Sequence, residues 1–345
     1  MLVTAQPVLR RFWYPTLPIA DLDAGPQPFT LLGQDLVLWA DKKGRPAAAV
    51  DRCSHRFARL SKGWVKDGAV NCPYHGWAFN SSGRCVEVPQ APGQRIPHGY
   101  KVTAFRCEKR YGYAWVCLDE PLDVIPELPE AADPRFRVMH LDSELFHCSS
   151  TVGVDNALDS SHHHYVHGTT LGDSSSPLPM AVQDLRETAN GLFMSFPLRN
   201  NGSTLRDRDI DDRATSGPIT LIRQLTWYVP FTVRIDIKFP SGIQAVTLLT
   251  YTPISDSTCQ YVGVLARNDT ERDFSAKAAI AEIATIVKED KDVLECVDYD
   301  LPLHAAQQRH MASDKASLMM RRKLHDLLTA HGETEVTRTG PGGTP

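Results

Sequence analysis

The 345-residue chain sets 37 Lys and Arg against 41 Asp and Glu, a formal net charge of −4 at pH 7, with 42% hydrophobic and 23% charged residues. That balance excludes a broad basic face for nucleic acid, and the hydrophobic content excludes a disordered chain. No apolar run approaches the roughly 20 residues that span a bilayer, and Met1 to Arg11 lacks the apolar core of a secretory signal, so the chain reads as soluble and cytoplasmic, with no membrane or nucleic-acid partner, and its eight cysteines read as thiols or metal ligands.

The first stretch alternates short strand-like runs with turn residues. Phe29–Leu32, Leu36–Ala40, Ala47–Asp51, Val102–Cys107 and Ala114–Leu118 predict a small all-β domain over 1–120. A Pro- and acid-rich crossing follows, with Pro121, Pro126, Pro129 and Pro134. The second domain, 121–331, holds the predicted strands Thr220–Val229, Thr232–Phe239, Gln244–Tyr251 and Gln260–Ala266. Their connections are too short for crossover helices, which predicts an antiparallel sheet. Helices are expected over Arg272–Val297 and Ala312–Ala330, and a disordered Gly/Thr/Pro-rich tail over 332–345. The fold class is α+β, an all-β domain followed by an antiparallel sheet flanked by helices, helix-grip-like.

Two groups of residues carry chemistry. In the first, Cys53-Ser-His55 is followed by Cys72-Pro-Tyr-His75, so each of two loops offers one thiolate and one imidazole. Zinc could bind such a set. Zinc fingers, however, usually take two thiolates from one knuckle, whereas a [2Fe–2S] cluster with Cys₂ on one iron and His₂ on the other suits one of each per loop. Gly63, Gly68 and Gly76 fit tight loops around it. The second is Asp155-Asn156-Ala-Leu-Asp159-Ser-Ser-His162-His163-His164-Tyr-Val-His167. Non-haem Fe(II) that activates O₂ takes two imidazoles and one carboxylate, leaving open positions. Candidate pairs are His162 with His167, His163 with His167 (i, i+4) and His164 with His167 (i, i+3). Asp159, one turn before His162, is placed on the same helical face. For the carboxylate, the stripe Ile283, Ile286, Val287, Val293, Leu294 and Val297 puts Asp290 at its centre, where a lone carboxylate is costly unless paired or metal-bound. Glu289 and Asp292 are placed off the stripe, with Asp292 held in reserve.

Cys53-Ser-His55-Arg56, Leu60-Ser-Lys-Gly63, Cys72-Pro-Tyr-His75-Gly-Trp77 and the run Phe79 to Pro89 resemble the Rieske domain of Rieske non-haem iron oxygenases. Ser54 stands where that family's first loop usually has proline. The resemblance extends from Phe12-Trp13-Tyr14 to about Ala330 and is to the small, α-only oxygenase components. That group includes vanillate and dicamba O-demethylases and the cyanobacterial hydroxylases of guanidinium toxins. Tyr111-Gly-Tyr-Ala-Trp115-Val-Cys-Leu118 and Leu171-Gly-Asp173 look like the hydroxylases, Val287-Lys-Glu-Asp290-Lys like the dicamba enzyme.

The resemblance implies cluster ligands Cys53, His55, Cys72 and His75, and mononuclear Fe(II) ligands His162, His167 and Asp290. It implies Asp159 as a bridge from His75 of one protomer to His162 or its neighbour in the next, within a head-to-tail trimer, O₂ as co-substrate, and a separate reductase or ferredoxin as electron donor. No G-x-G-x-x-G follows a strand, and no plant-type ferredoxin cysteine run is present. Hydroxylation of a metabolite C–H bond is the leading expectation, with O- or N-demethylation of an aromatic compound as the alternative and a Rieske electron-transfer protein as the non-enzyme reading. The pocket is expected to draw on Asn156, also a candidate catalytic residue, on 220–231 and on 243–251. An aromatic carboxylate would want a fixed cation there, for which Arg223 and Arg234 are the strand candidates, although arginines on strands more often face solvent.

Overall fold

A computed structural model describes residues 1–168, 170–171, 182–200, 219–239, 241–304, 306 and 308–338. Gly172 and Asp173 lie outside the described residues. The chain divides into two compact units, Leu9–Ile125 and Met1–Val8 with Pro126–Pro345. The boundary expected after residue 120 thus falls after 125, and the first eight residues join the second unit, where the Met1 ammonium donates to Asp300 Oδ1 at 2.8 Å and to the Leu301 carbonyl at 2.7 Å.

The Leu9–Ile125 unit is all-β, as expected. Strands β1 (Tyr14–Pro18), β2 (Gln27–Leu31), β3 (Gln34–Ala40), β4 (Pro46–Val50), β9 (Ala104–Arg110) and β10 (Tyr113–Cys117) form a six-stranded sheet in the order β1-β10-β9-β4-β3-β2. Four short strands, β5 (Trp64–Lys66), β6 (Ala69–Asn71), β7 (Ala78–Phe79) and β8 (Cys85–Glu87), form a second sheet. β1 escapes the alternation rule because Pro15 and Pro18 interrupt it, and it lies at a sheet edge, where proline leaves no ladder bond unmade. Trp39, Leu60, Val70, Phe79 and the two thiols Cys53 and Cys72 share one buried core.

The second unit is built on antiparallel strands β11 (Arg137–His140), β12 (Glu144–Phe146), β13 (Asp184–Thr188), β14 (Gly191–Asn200), β15 (Ile219–Tyr228), β16 (Thr232–Lys238), β17 (Gln244–Pro253) and β18 (Cys259–Arg267). Their order is β11-β18-β17-β16-β15-β14-β13, with β12 also on β18. The helices are α1 (Ser150–Ala157), the single turn α2 (His163–Val166), α3 (Ala276–Leu294) and α4 (Lys315–Ala330). Ser149 and Ser275 cap α1 and α3 by accepting from Val152 N and Ala278 N. The β13–β14 hairpin turns at Ala189-Asn190 before Gly191, a short-loop signal absent from the strand expectations. The tail is not free at its start: Val336 accepts from Leu2 N at 2.8 Å and Glu335 Oε1 from Leu303 N at 2.8 Å. Residues 339–345 lie outside the described residues. No described helix is long and apolar enough to cross a membrane.

Candidate active site

The two loops that carry Cys53 and Cys72 repeat one backbone device. Cys53 N donates to Ala58 O and Phe57 N to Cys53 O; Cys72 N donates to Trp77 O and Gly76 N to Cys72 O, all at 2.8–2.9 Å. The residue four along is left-handed in both, Phe57 at φ 60 and Gly76 at φ 71. A single closed turn therefore presents one thiol and one imidazole from each loop. Burial, with Cys72 beside it, pushes the Cys53 thiol up to about 11. The His55 and His75 rings lie 4.6 Å apart, and both Nδ1 atoms are buried without a hydrogen-bond partner. Orphaned buried nitrogens are costly, and two of them beside two neighbouring thiols fit a Cys₂His₂ [2Fe–2S] cluster. Trp77 braces the set, stacked 4.5 Å from His55 and 4.8 Å from Tyr100.

The second group gathers around α2. His162 and His167 flank that turn as its caps, and Asp290 projects from α3. Ligand atoms of these three lie within 4.8 Å of one another. Asp290 Oδ1 is 3.1 Å from His167 Nε2 and 3.6 Å from His162 Nε2, and it accepts from Asn156 Nδ2 at 2.9 Å. Burial pushes the Asp290 carboxyl up, but His167, His162 and Asn156 together hold it below its ordinary value. Burial pushes His167 down, yet Asp290 and Glu289 on its two nitrogens hold it above the ordinary imidazole value. The arrangement stabilises positive charge between two imidazoles and a carboxylate, which fits a divalent iron of the two-His, one-carboxylate kind.

Three local expectations are corrected. Asp159 does not share a helix with His162, because α1 ends at Ala157. It caps the turn into α2, accepting from Ser161 N at 2.7 Å and His162 N at 3.2 Å, with Oδ2 3.5 Å from His162 Nδ1. Glu289 does not point away: its Oε2 meets His167 Nδ1 at 2.8 Å and accepts from Thr170 Oγ1 at 2.6 Å. One residue turns a helix by only about 100°, and α2 packs on that flank of α3. The apolar stripe of α3 ends at Leu294, with Val293 and Val297 exposed. Of the competing ligands, Asp292 is exposed and His163 Nε2 meets Arg223 Nη1 at 2.7 Å.

A cavity lined in part by His162, His167 and Asp290 opens beside α2. Its walls come from β15 to β18 and α3, mostly apolar, with Ile235, Ile237, Leu265, Ile283 and Val287 among them. Such a mostly apolar cleft with a few polar groups suits a small organic ligand. Asn156 lines it, and so does Arg223. Arg223 therefore faces inward, against the expectation for a strand arginine, although burial pushes its guanidinium down to about 10. Arg234 faces elsewhere, in an ion pair with Glu130. Within 220–231, Trp227 and Phe231 are fully buried core.

Residues 12–105 match the Rieske [2Fe-2S] domain and residues 146–330 the vanillate O-demethylase oxygenase C-terminal domain. The methylxanthine N1-demethylase NdmA of Pseudomonas putida is 31% identical over 94% of this chain and 91% of its own length. The dicamba O-demethylase oxygenase component of Stenotrophomonas maltophilia is 27% identical over 92% and 97%. The solved structure of NdmA with caffeine superposes with a TM-score of 0.80 at 30% identity, covering 94% of this chain and 93% of that one. With both domains matched in order and the likeness to NdmA running through both, the chain belongs to the Rieske non-haem iron oxygenases, whose members carry a Rieske [2Fe–2S] cluster and a mononuclear iron.

Proposed function

We propose that this oxygenase removes an N- or O-linked methyl group from a small aromatic or heteroaromatic substrate. The supporting observation is that whole-length relatives are demethylases of both kinds, NdmA acting on a methylxanthine nitrogen and the dicamba enzyme on oxygen. This favours the expected alternative over hydroxylation of a metabolite C–H bond with the carbon skeleton retained. In the balanced reaction the methylated substrate, O₂, two electrons and two protons give the demethylated product, formaldehyde and water. The electrons come from a separate reductase or ferredoxin.

Cys53, His55, Cys72 and His75 would hold the cluster, and His162, His167 and Asp290 the mononuclear iron. When bound, these groups supply electron relay and O₂ activation. The protein's own part is positioning. The Glu289 carboxylate can only accept, so it keeps the His167 proton on Nδ1 and leaves Nε2 for the metal. Asn156 steadies the Asp290 carboxylate. The apolar walls exclude water and hold the methyl-bearing ring toward the ligand atoms. Asp159 bridges His162 to His75 of a neighbouring protomer in a head-to-tail trimer. Exposed Phe57 and Tyr74, one on each cluster loop, support a face that an assembly covers.

The test is a panel of N-methyl and O-methyl aromatics turned over by reconstituted protein with an electron donor. One formaldehyde per demethylated product is expected. Products that keep the methyl group and gain a hydroxyl would instead establish the hydroxylase.

A further inference from the structure

Arginines inside the catalytic unit meet carboxylates. Arg234 meets Glu130 at 2.7 Å, Arg321 meets Asp155 at 2.9 Å, and Arg137 and Arg267 share Asp269 at 2.6 and 2.8 Å. Arg223 differs. Among the described residues no carboxylate comes within ion-pair distance of it, and its Nε is buried without a hydrogen-bond partner. Its Nη1 meets His163 Nε2 at 2.7 Å. A guanidinium can only donate, so that nitrogen accepts and brings no opposing charge. His163 aims the guanidinium without neutralising it.

The surroundings are mostly apolar; Glu282 also lines the cavity, and Asp290, which acts on the guanidinium from a distance, belongs to the proposed iron-ligand set. Arg223 lies mid-strand on β15, in register with Phe196 of β14 and Ile237 of β16, and its Cζ is 6.0 Å from the Phe196 ring. Ile235, Ile237 and Leu265 line the same cavity, as do the ligand atoms of His162, His167 and Asp290. A fixed cation facing an apolar cavity is costly until an anion joins it. A neutral carbonyl would fill a donor's need but leave the charge uncompensated. A carboxylate answers both, because its two oxygens match the guanidinium fork.

We propose that Arg223 anchors the substrate through a carboxylate, so that the preferred substrates are aromatic acids bearing an O- or N-methyl group. This rests on the cavity being the substrate site of the demethylase reading. It makes Arg223 the specificity-determining residue and His163 the residue that positions it.

The test is anaerobic calorimetric titration of the reconstituted holoenzyme with matched pairs, 4-methoxybenzoate against 4-methoxybenzamide and 4-(dimethylamino)benzoate against its amide. The acids should bind about tenfold or more tighter than the amides. Arg223→Met should bring that ratio near one by weakening the acids far more than the amides, while leaving iron content and the cluster spectrum unchanged. Arg223→Lys should fall between. Amides that bind as tightly as acids in the wild type, a preference that survives in Arg223→Met, or no acid binding at millimolar concentration would each overturn the assignment. The wild-type ratio needs no variant, so misfolding of Arg223→Met does not shelter the proposal. Formaldehyde release is scored apart. Acid-selective binding without formaldehyde from any acid overturns demethylation and leaves the anchor, whereas formaldehyde from neutral substrates alone overturns the anchor and leaves demethylation.

Discussion

The two metal-site constellations are built by opposite strategies. The cluster loops are local: each closes by hydrogen bonds that span four or five residues, Phe57 N to Cys53 O and Cys53 N to Ala58 O in one, Gly76 N to Cys72 O and Cys72 N to Trp77 O in the other. The catalytic set draws His162 and His167 from the ends of a one-turn helix and Asp290 from a helix more than a hundred residues on. Local turns hold their geometry with little help from the rest of the domain. A long-range site depends on α3 docking against α2, and it is therefore the more fragile of the two.

The largest effect separates the sites outright. His162→Ala or His167→Ala should abolish turnover and drop iron from about three per chain to about two, with the Rieske absorption unchanged. Iron analysis and visible spectroscopy read both at once. Iron retained at about three per chain in either variant would remove that histidine from the ligand set.

The same contrast explains what was legible in the sequence. Cys53-x-His55 and Cys72-x-x-His75 declare themselves because their spacing is their geometry. Asp290 was legible from the helical period, as a carboxylate on an apolar stripe. Glu289 was not, because a period assigns one face and cannot see that a second element, α2, packs at that face's edge. Arg223 was half legible. Leu221, Leu225 and Trp227 share its phase on β15 and all are buried, so alternation places Arg223 inward. The general habit of strand arginines pointed the other way, and the local phase was the better guide. Asp159 was misplaced on a helix because nothing in Ala157-Leu-Asp159-Ser signals strongly that α1 stops there.

Glu289 sharpens the long-range half of the comparison. Its hydrogen bond to His167 orients a ring without touching the metal position. Glu289→Gln should weaken Fe(II) affinity by roughly 10- to 100-fold and leave the cluster spectrum intact, as measured by iron release to a chelator. Unchanged release would mean that α2 alone fixes the ring.

Two glycines, one at each site, probe the frames. At Gly63 an added Cβ would lie 1.8 Å from the Asn71 carbonyl, just before Cys72; at Gly153 on α1 it would lie 2.4 Å from the Tyr251 ring. Each substitution to Ala should cost about 1–3 kcal/mol by overpacking. The first should lower cluster occupancy with the mononuclear site retained, and the second should spare the cluster and weaken binding in the cavity. Loss of both centres in either variant would show that the sites are not independent.

The smallest effect concerns charge pairing in the catalytic unit. Hydrogen bonds from Arg234 hold Glu130 below its ordinary carboxylate value, with burial opposing them. A carboxyl whose value falls on folding stabilises the fold above its unfolded value of about 4.3, and that stabilisation fades as pH drops through the lower folded value. Glu130→Gln should therefore cost about 1 kcal/mol near neutral pH, since the pair is partly solvated. The gap from wild type should close as pH falls below about 4, in urea unfolding followed at both pH values. A gap that stays constant with pH would mean that the Glu130 contacts act by shape and hydrogen bonding alone. Closure would establish that Arg234 is compensated by a titrating partner within the fold. Arg223 has no such close partner among the described residues, and that difference is what the proposed substrate anchor rests on.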